Sequence, residues 1–498
     1  MNQVAYDQLA PKFAVVETAQ PLPQSSRFEL IDVLTSKTVF DGTLSADQEP
    51  TGWFPGRHFY RADFSSFRQP GHFKLQFEVV GKPFTSFDFE IGKTALVAQT
   101  VLAIVNFYRH QRANSPQELQ ADEHLLLYGS TNRVDLRGGW CDASGDVSKY
   151  FSHLAYANFM SPQQTPLVVW SMVNTVETAP ALLDRLDAKT SLMDEALYGA
   201  DYVMRSLSPS NYFYMTVFSY FKKDPEARRV VGLLADSKTT SDYQCAYREG
   251  GGMAIAALAR ISQWKKHGEF SSRAYLEGAE RAFAHLQINN TRYDDGKENI
   301  IDDYCALMAA SELWIATDKD VYRDAARKRA KNLAGRMTPG GYFIADDSSR
   351  PLWHASDAGL PVVALARYLH KETDRGLRET VLATIKQALD YNLGVTGEMP
   401  NPFGYARQTF RFRGNITNGF FIPHENESGW WWQGENARLA SLATAAIIGG
   451  RLVYPGPGAF GVKKELATFA GIRSRGYWVK ILTICVSCFS SEKTMSLT

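Results

Sequence analysis

Asp142 and Asp146 stand close together in the run Gly138-Gly139-Trp140-Cys141-Asp142-Ala143-Ser144-Gly145-Asp146. Two carboxylates at this spacing can share one water, one orienting it while the other takes its proton. The glycines let backbone and ligand approach closely, and Trp140 joins the aspartates as an expected ligand contact. The same residues also suit an Asx turn that caps the chain ahead of Lys149 and Tyr150, so composition alone leaves both readings open.

A second cluster runs from His424 to Arg438, H-E-N-E-S-G-W-W-W-Q-G-E-N-A-R. Aromatic faces pack on the C–H side of a pyranose, while carboxylates and amides bind its hydroxyls. We expect Trp430 or Trp431 as a platform, with His424, Glu427, Gln433 and Glu435 as polar contacts; the alternative is a capped helix whose tryptophans fill a core. In D-Y-Q-C-A-Y-R-E-G-G-G, a glycine turn brings Tyr243 and Arg248 to the same mouth, and the absent G-K-[ST] element argues against a phosphate loop. Asp294, Asp295, Glu298, Asp302 and Asp303 read as a solvated helix start. Were one of them to line a cleft, an amino sugar cation would be favoured there. His354 and Asp357 read as a structural polar pair.

Two kinds of element must position these groups. Up to about residue 92, short alternating apolar runs begin at Phe13, Phe28, Phe59, Phe73 and Phe87, with Asp41-Gly42 and Pro70-Gly71 as turns, the pattern of an antiparallel sandwich. From 93 the period is helical, over 94–113, 179–207, 251–267, 272–288, 300–316, 319–335, 376–392 and 432–449, and strand signals nearly vanish. Antiparallel helix pairs closed into an (α/α) toroid would bury those faces and gather the loops at one mouth.

Lys and Arg number 54 against 53 Asp and Glu, so no global field draws nucleic acid or a membrane surface, and neither is an expected partner. No apolar stretch reaches the roughly 20 residues of a membrane helix. The N-terminus lacks the basic and apolar regions of a secretory signal, and the five cysteines are odd in number and scattered, which together predict a cytoplasmic protein. No metal or cofactor is expected, because the C-x-x-C of Cys485 and Cys488 has no second ligand pair.

The run G-G-W-C-D-A-S-G-D-V-S-K-Y resembles the G-G-W-Y-D-A-G-D-x-x-K-Y motif of family 9 glycoside hydrolases, with Ser144 as one extra residue. H-F-Y-R-A-D-F-S (58–65), D-D-Y-C-A-L-M-A-A-S-E-L-W-I-A-T (302–317) and W-W-Q-G-E-N-A-R-L (431–439) are also similar to family segments. The resemblance implies an N-terminal all-β immunoglobulin-like sandwich over 1–92 and an all-α (α/α)6 toroid over 93–470. It makes Asp146 the base and Asp142 its partner in inverting hydrolysis of a β-linked oligosaccharide, a reaction that also needs a general acid about 6.5–9.5 Å away. The H-x-N-E-S-G-x-W-W-Q-G-E-N-A-R form resembles the bacterial chitin-oligosaccharide branch of exo-acting β-glucosaminidases, with cello-oligosaccharides as the family-wide alternative. A non-catalytic carbohydrate-binding protein is the competing reading. A polysaccharide lyase would want Tyr or His and Arg facing a uronate, and the acid-rich loops oppose it.

The family continues past its W-G-S-N helix into W-[ILV]-L-G-x-N-P, a His/Arg segment and a general-acid Glu. Here the chain reads G-I-R-S-R-G-Y-W-V-K-I-L-T-I-C-V-S-C-F after Ala470. Read one base out of register, Tyr477-Trp478 must encode Leu and Trp478-Val479 must encode Gly, and the flanking codons permit W-I-L-G-K-N-P-Y-D-M-C. We therefore expect a frameshift near Ala470, with 471–498 out of frame, the general acid missing, the toroid incomplete and hydrolysis impaired.

Overall fold

A computed structural model describes residues 4–50, 55–79, 81–142, 146–152, 164–234, 238–345, 358–412, 415–420, 424–426, 429–431, 435–458 and 460–473. Its N-terminal strands are β1 (Ala5–Asp7), β2 (Phe13–Thr18), β3 (Arg27–Asp32), β4 (Thr38–Thr43), β5 (His58–Asp63), β6 (Gly71–Val79), β7 (Lys82–Thr85) and β8 (Phe89–Gly92). One sheet runs β1-β8-β6-β3-β4 with β7 beside β6, and the other pairs β2 with β5. Alternation explains the sandwich: Phe28 and Leu30 of β3 and Phe73 and Leu75 of β6 all point inward, joined by Tyr60 and Ala62 of β5 in one core. Asp41-Gly42, expected as a turn, lies inside β4, where a Cβ on Gly42 would come within 2.8 Å of the Phe28 ring.

From Ala95 the chain is mainly helical: α1 (Ala95–His110), α2 (Pro116–Asp122), α3 (Thr165–Thr178), α4 (Pro180–Arg185), α5 (Lys189–Arg205), α6 (Gly251–Ile261) and α7 (Ser272–Tyr293). Then come α8 (Ile300–Thr317), α9 (Asp320–Gly335), α10 (Leu360–Leu369), α11 (Arg375–Gly397), α12 (Glu435–Val453) and α13 (Lys464–Arg473). Among the described residues, α3, α6, α8, α10 and α12 form an inner layer, each packed on the next. Every residue of α6, and of α8 from Ile300 to Trp314, is buried, the apolar ones by packing and Arg260, Asp302, Asp303 and Glu312 in ion pairs. Helices α5, α7, α9, α11 and α13 form an outer layer; in α7 and α9 the buried residues recur at helical spacing while the opposite face is polar.

One carboxylate ties four inner helices together. Glu312 of α8 accepts Trp170 Nε1 of α3 at 2.7 Å and Arg367 Nε and Nη2 of α10 at 2.8 Å each, and lies 3.5 Å from Arg260 Nη1 of α6. Its pKa is lowered, because the two guanidiniums and these hydrogen bonds together outweigh the opposing cost of burial, the largest single cause.

Strands do occur in this second half, contrary to the sequence reading: β9 (Leu125–Leu126), β10 (Arg133–Val134), β11 (Lys149–Tyr150), β12 (Thr216–Phe218), β13 (Arg229–Leu233), β14 (Thr239–Thr240), β15 (Gln408–Phe412), β16 (Asn415–Gly419), β17 (His424–Asn426) and β18 (Gly429–Trp431). With two to five residues each, they are too short to display a period of two. They build the connections that carry the site.

Candidate active site

The loop bearing both aspartates is fixed at each end by backbone pairing. On the entering side, Ala113 N donates to Gly139 O at 2.9 Å and Cys141 N to Gln111 O at 2.7 Å. Gly138 and Gly139 adopt φ of 85° and 76°, and a Cβ on Gly139 would lie 2.8 Å from the Tyr202 ring, so both need glycine. On the leaving side, Asp142 N donates to Ser148 O at 2.9 Å, and Asp146 Oδ1 accepts Ser148 N at 2.6 Å. Ser148 thereby joins Asp142 and Asp146, accepting from the first through its carbonyl and donating to the second through its N–H. Asp146 is 8% exposed and Asp142 is half-buried. Residues 143–145, including the extra Ser144, lie outside the described residues.

Beneath the turn sits a buried charge cluster. Lys149 Nζ donates to Asp122 Oδ2 at 2.8 Å, Leu136 O at 2.6 Å and Gly138 O at 2.8 Å, and lies 4.7 Å from the Tyr202 ring centroid. Arg228 pairs with Asp122 Oδ1 at 2.9 Å and donates to Val147 O at 3.1 Å. Burial pushes Asp122 up and Lys149 down, and the ion pairs oppose both shifts. The lysine of the K-Y pair therefore clamps the loop from within. Asp122 and Arg228 escaped the sequence reading, because nothing local marks them as partners of Lys149.

Two expected ligand contacts are buried among partners of the protein's own frame. Trp140 is 6% exposed and packs against Tyr108, and its Nε1 donates to buried Glu195 at 2.7 Å, so its ring and N–H are used inside the frame. Arg248 is buried in the turn Tyr247–Glu249, where it donates to Asp295 Oδ1 at 3.0 Å and Lys297 O at 3.1 Å and lies 3.5 Å from Asp302 Oδ2. It anchors the acidic segment. That segment is in turn no solvated helix start: Asp302 and Asp303 are buried, with Arg329 Nη1 3.0 Å and Arg336 Nε 2.6 Å from Asp303. Tyr243 is half-buried with its ring 5.9 Å from Tyr214, and burial raises its phenol. Cys141 lies 3.5 Å from Glu118, and burial reinforced by that carboxylate pushes its thiol up to about 12, which makes it a poor nucleophile.

Burial also pushes Glu249 up to about 8 and Asp294 up to about 7. Each holds a proton in the folded state at pH values where the unfolded chain has lost it. The resulting stabilisation is complete below about pH 4 and is lost as pH rises through 7 to 8. We expect the melting temperature to fall by several degrees between about pH 5 and about pH 9, and Glu249→Gln to flatten that slope. A melting profile that rises over this range would contradict the assignment.

In the second cluster, β17 and β18 form a hairpin with His424 opposite Trp431 and Glu425 opposite Trp430, and Glu435 opens α12. Glu427, Gln433, His354 and Asp357 lie outside the described residues, as does the segment from 474 onward. Helix α13 runs on through Ala470 and Gly471 to Arg473.

Comparison with known proteins matches residues 98–421 to the model of glycosyl hydrolase family 9 and residues 1–82 to the cellulase N-terminal ig-like domain. A xyloglucan-specific endo-β-1,4-glucanase, BoGH9A of Bacteroides ovatus, is 25% identical over 379 residues, covering 67% of this chain. The chain spans about three fifths, 60%, of that relative's length. Among solved structures, the family 9 endoglucanase J30 superposes with a TM-score of 0.63 at 17% identity, over 94% of this chain and 81% of its own. A Bacteroides ovatus GH9 structure gives 0.59 at 18% identity, over 95% and 82%. At these identities the two structures establish a shared fold, the sandwich followed by the helical toroid. With a family model covering well over half its length, this chain belongs to glycosyl hydrolase family 9.

Proposed function

We propose that this protein is built as an inverting glycoside hydrolase for β-1,4-linked oligosaccharides, with Asp146 as the base that activates water and Asp142 positioning that water. The carrying observation is the nearly buried Asp146 on a glycine turn locked by backbone pairing and by Lys149, Asp122 and Arg228. The β-1,4 linkage is that named for the Bacteroides relative. Glucosaminyl or chito-oligosaccharides are the proposed substrates, supported by the chitin-branch form of the His424–Arg438 segment, with cello-oligosaccharides as the alternative. A cytoplasmic setting belongs to the same proposal, supported by the free thiols Cys141, Cys245 and Cys305.

We further propose that the sequence after Ala470 replaces the general acid, so that this chain binds oligosaccharide but turns it over weakly. General acid–base assistance is worth about 10²–10⁴-fold. Restoring the alternative reading frame from codon 471 is expected to raise turnover on glucosaminide, chito- or cello-oligosaccharides by a factor in that range, read as reducing ends released. Equal turnover by both chains sinks the tail argument. Saccharide binding without turnover by either supports the non-catalytic alternative.

A further inference from the structure

Two aromatic residues beside the aspartate loop hold a conformation that aromatic residues avoid. Tyr220 has φ 57° and Phe221 φ 59°, both in the left-handed region, and the turn closes through Lys222 N donating to Ser219 O at 3.1 Å. Residues with a Cβ rarely enter this region, and glycine, asparagine or aspartate is the usual occupant of such a turn. Consecutive outliers of this kind persist only where their surroundings hold them, and they concentrate at ligand clamps. The surroundings here are explicit. Phe218, within the buried group of Tyr150, Val231 and Leu233, lies beneath the turn with its ring 5.0 Å from Tyr220 and 5.2 Å from Phe221. Even so, Tyr220 is 36% exposed and Phe221 is 61% exposed, a large apolar ring displayed to water.

Register sets this turn against the candidate base. Strand β11 pairs with β12 through Lys149↔Val217 and Tyr150↔Thr216, so the turn after Phe218 leaves the sheet on the side from which the aspartate loop enters it. The two chains stay together at least as far as Ser219, whose N donates to Ser148 Oγ at 2.8 Å; the Oγ atoms of Ser148 and Ser219 are 2.9 Å apart. The same Ser148 donates its N–H to Asp146. A displayed aromatic pair thus follows directly on Ser219, which is bonded through Ser148 to the candidate base Asp146.

We infer that Phe221, supported by Tyr220, is a stacking platform for one pyranose ring of the oligosaccharide, and so determines affinity and substrate placement; this rests on the glycoside hydrolase reading. A β-1,4-linked pyranose with equatorial hydroxyls offers a flat C–H face, and an aromatic ring is its natural complement. The left-handed backbone rests the ring on Phe218 and leaves most of it open to a ligand.

The test measures binding of cellotetraose and chitotetraose by calorimetry to the purified full chain and its Phe221 variants. Phe221→Ala and Phe221→Leu should each weaken binding about three- to tenfold, Leu because it keeps the apolar bulk and loses the flat face, while Phe221→Trp retains it. Phe221→Gly should lose binding yet melt no lower than wild type, because glycine relaxes the left-handed backbone. Unaltered binding by Phe221→Ala overturns the platform alone, and so does wild-type affinity in Phe221→Leu. Self-association of the wild type that disappears in Phe221→Ala overturns it in favour of a protein contact. A wild-type chain that binds neither tetrasaccharide overturns both the platform and the hydrolase reading.

Discussion

Asp146→Ala in the frame-restored chain is expected to lower kcat by about 10²–10⁴-fold while leaving oligosaccharide affinity within a few-fold of wild type. The reason lies in where the carboxylate is spent. Its Oδ1 accepts the Ser148 N–H within the turn, but the loop is also held by backbone pairs at Gly139, Cys141 and Asp142 and by Lys149 beneath it. Losing one carboxylate should therefore remove the proton acceptor without dismantling the loop. Azide or formate, as small external bases, should restore part of the rate. The assignment is sunk by a kcat within about tenfold of wild type, or by a loss of affinity as large as the loss of turnover.

Glu312→Ala is expected to cost the fold about 3–5 kcal/mol, the usual penalty for stripping the partner from buried charges. Arg260 and Arg367 would be left facing one another inside the helical layer, and the Trp170 N–H would lose its acceptor. Glu312→Gln, which keeps an acceptor oxygen and loses the charge, should fall between the two. Thermal melting and urea unfolding read this directly, with Glu312→Ala expected to melt roughly 4–6 °C lower. A change under about 1 kcal/mol would show that the four helices are held by apolar packing alone.

Particular residues show how much of this was legible beforehand. The sandwich could be read because Phe28, Leu30, Phe73 and Leu75 alternate on strands with one buried face. Outer helices such as α7 and α9 showed themselves by a period near 3.6, since each has a wet side. Helices α3 and α10 did not. Their runs T-P-L-V-V-W-S-M-V and L-P-V-V-A-L-A-R-Y-L each carry a proline in the first turn, Pro166 and Pro361, a residue that in sequence punctuates loops as readily as it opens helices. The aspartate loop was found by its motif, yet the partners of its neighbours were not legible. Trp140 and Arg248 are residue types that often meet sugars, and only the fold reveals Glu195 under the indole and the acidic segment around the guanidinium. Nothing in the sequence singles out Tyr220 and Phe221, because φ is invisible in a sequence.

The aspartate turn also has a place in time. The contacts described for its framework come from Gln111, Ala113, Asp122, Tyr202 and Arg228, together with residues of the loop itself. During synthesis, all of these have been added before half the chain is made, and N-terminal units tend to fold first. The framework around Asp142 and Asp146 is therefore encoded upstream of codon 471, and a nascent chain carries it whatever follows.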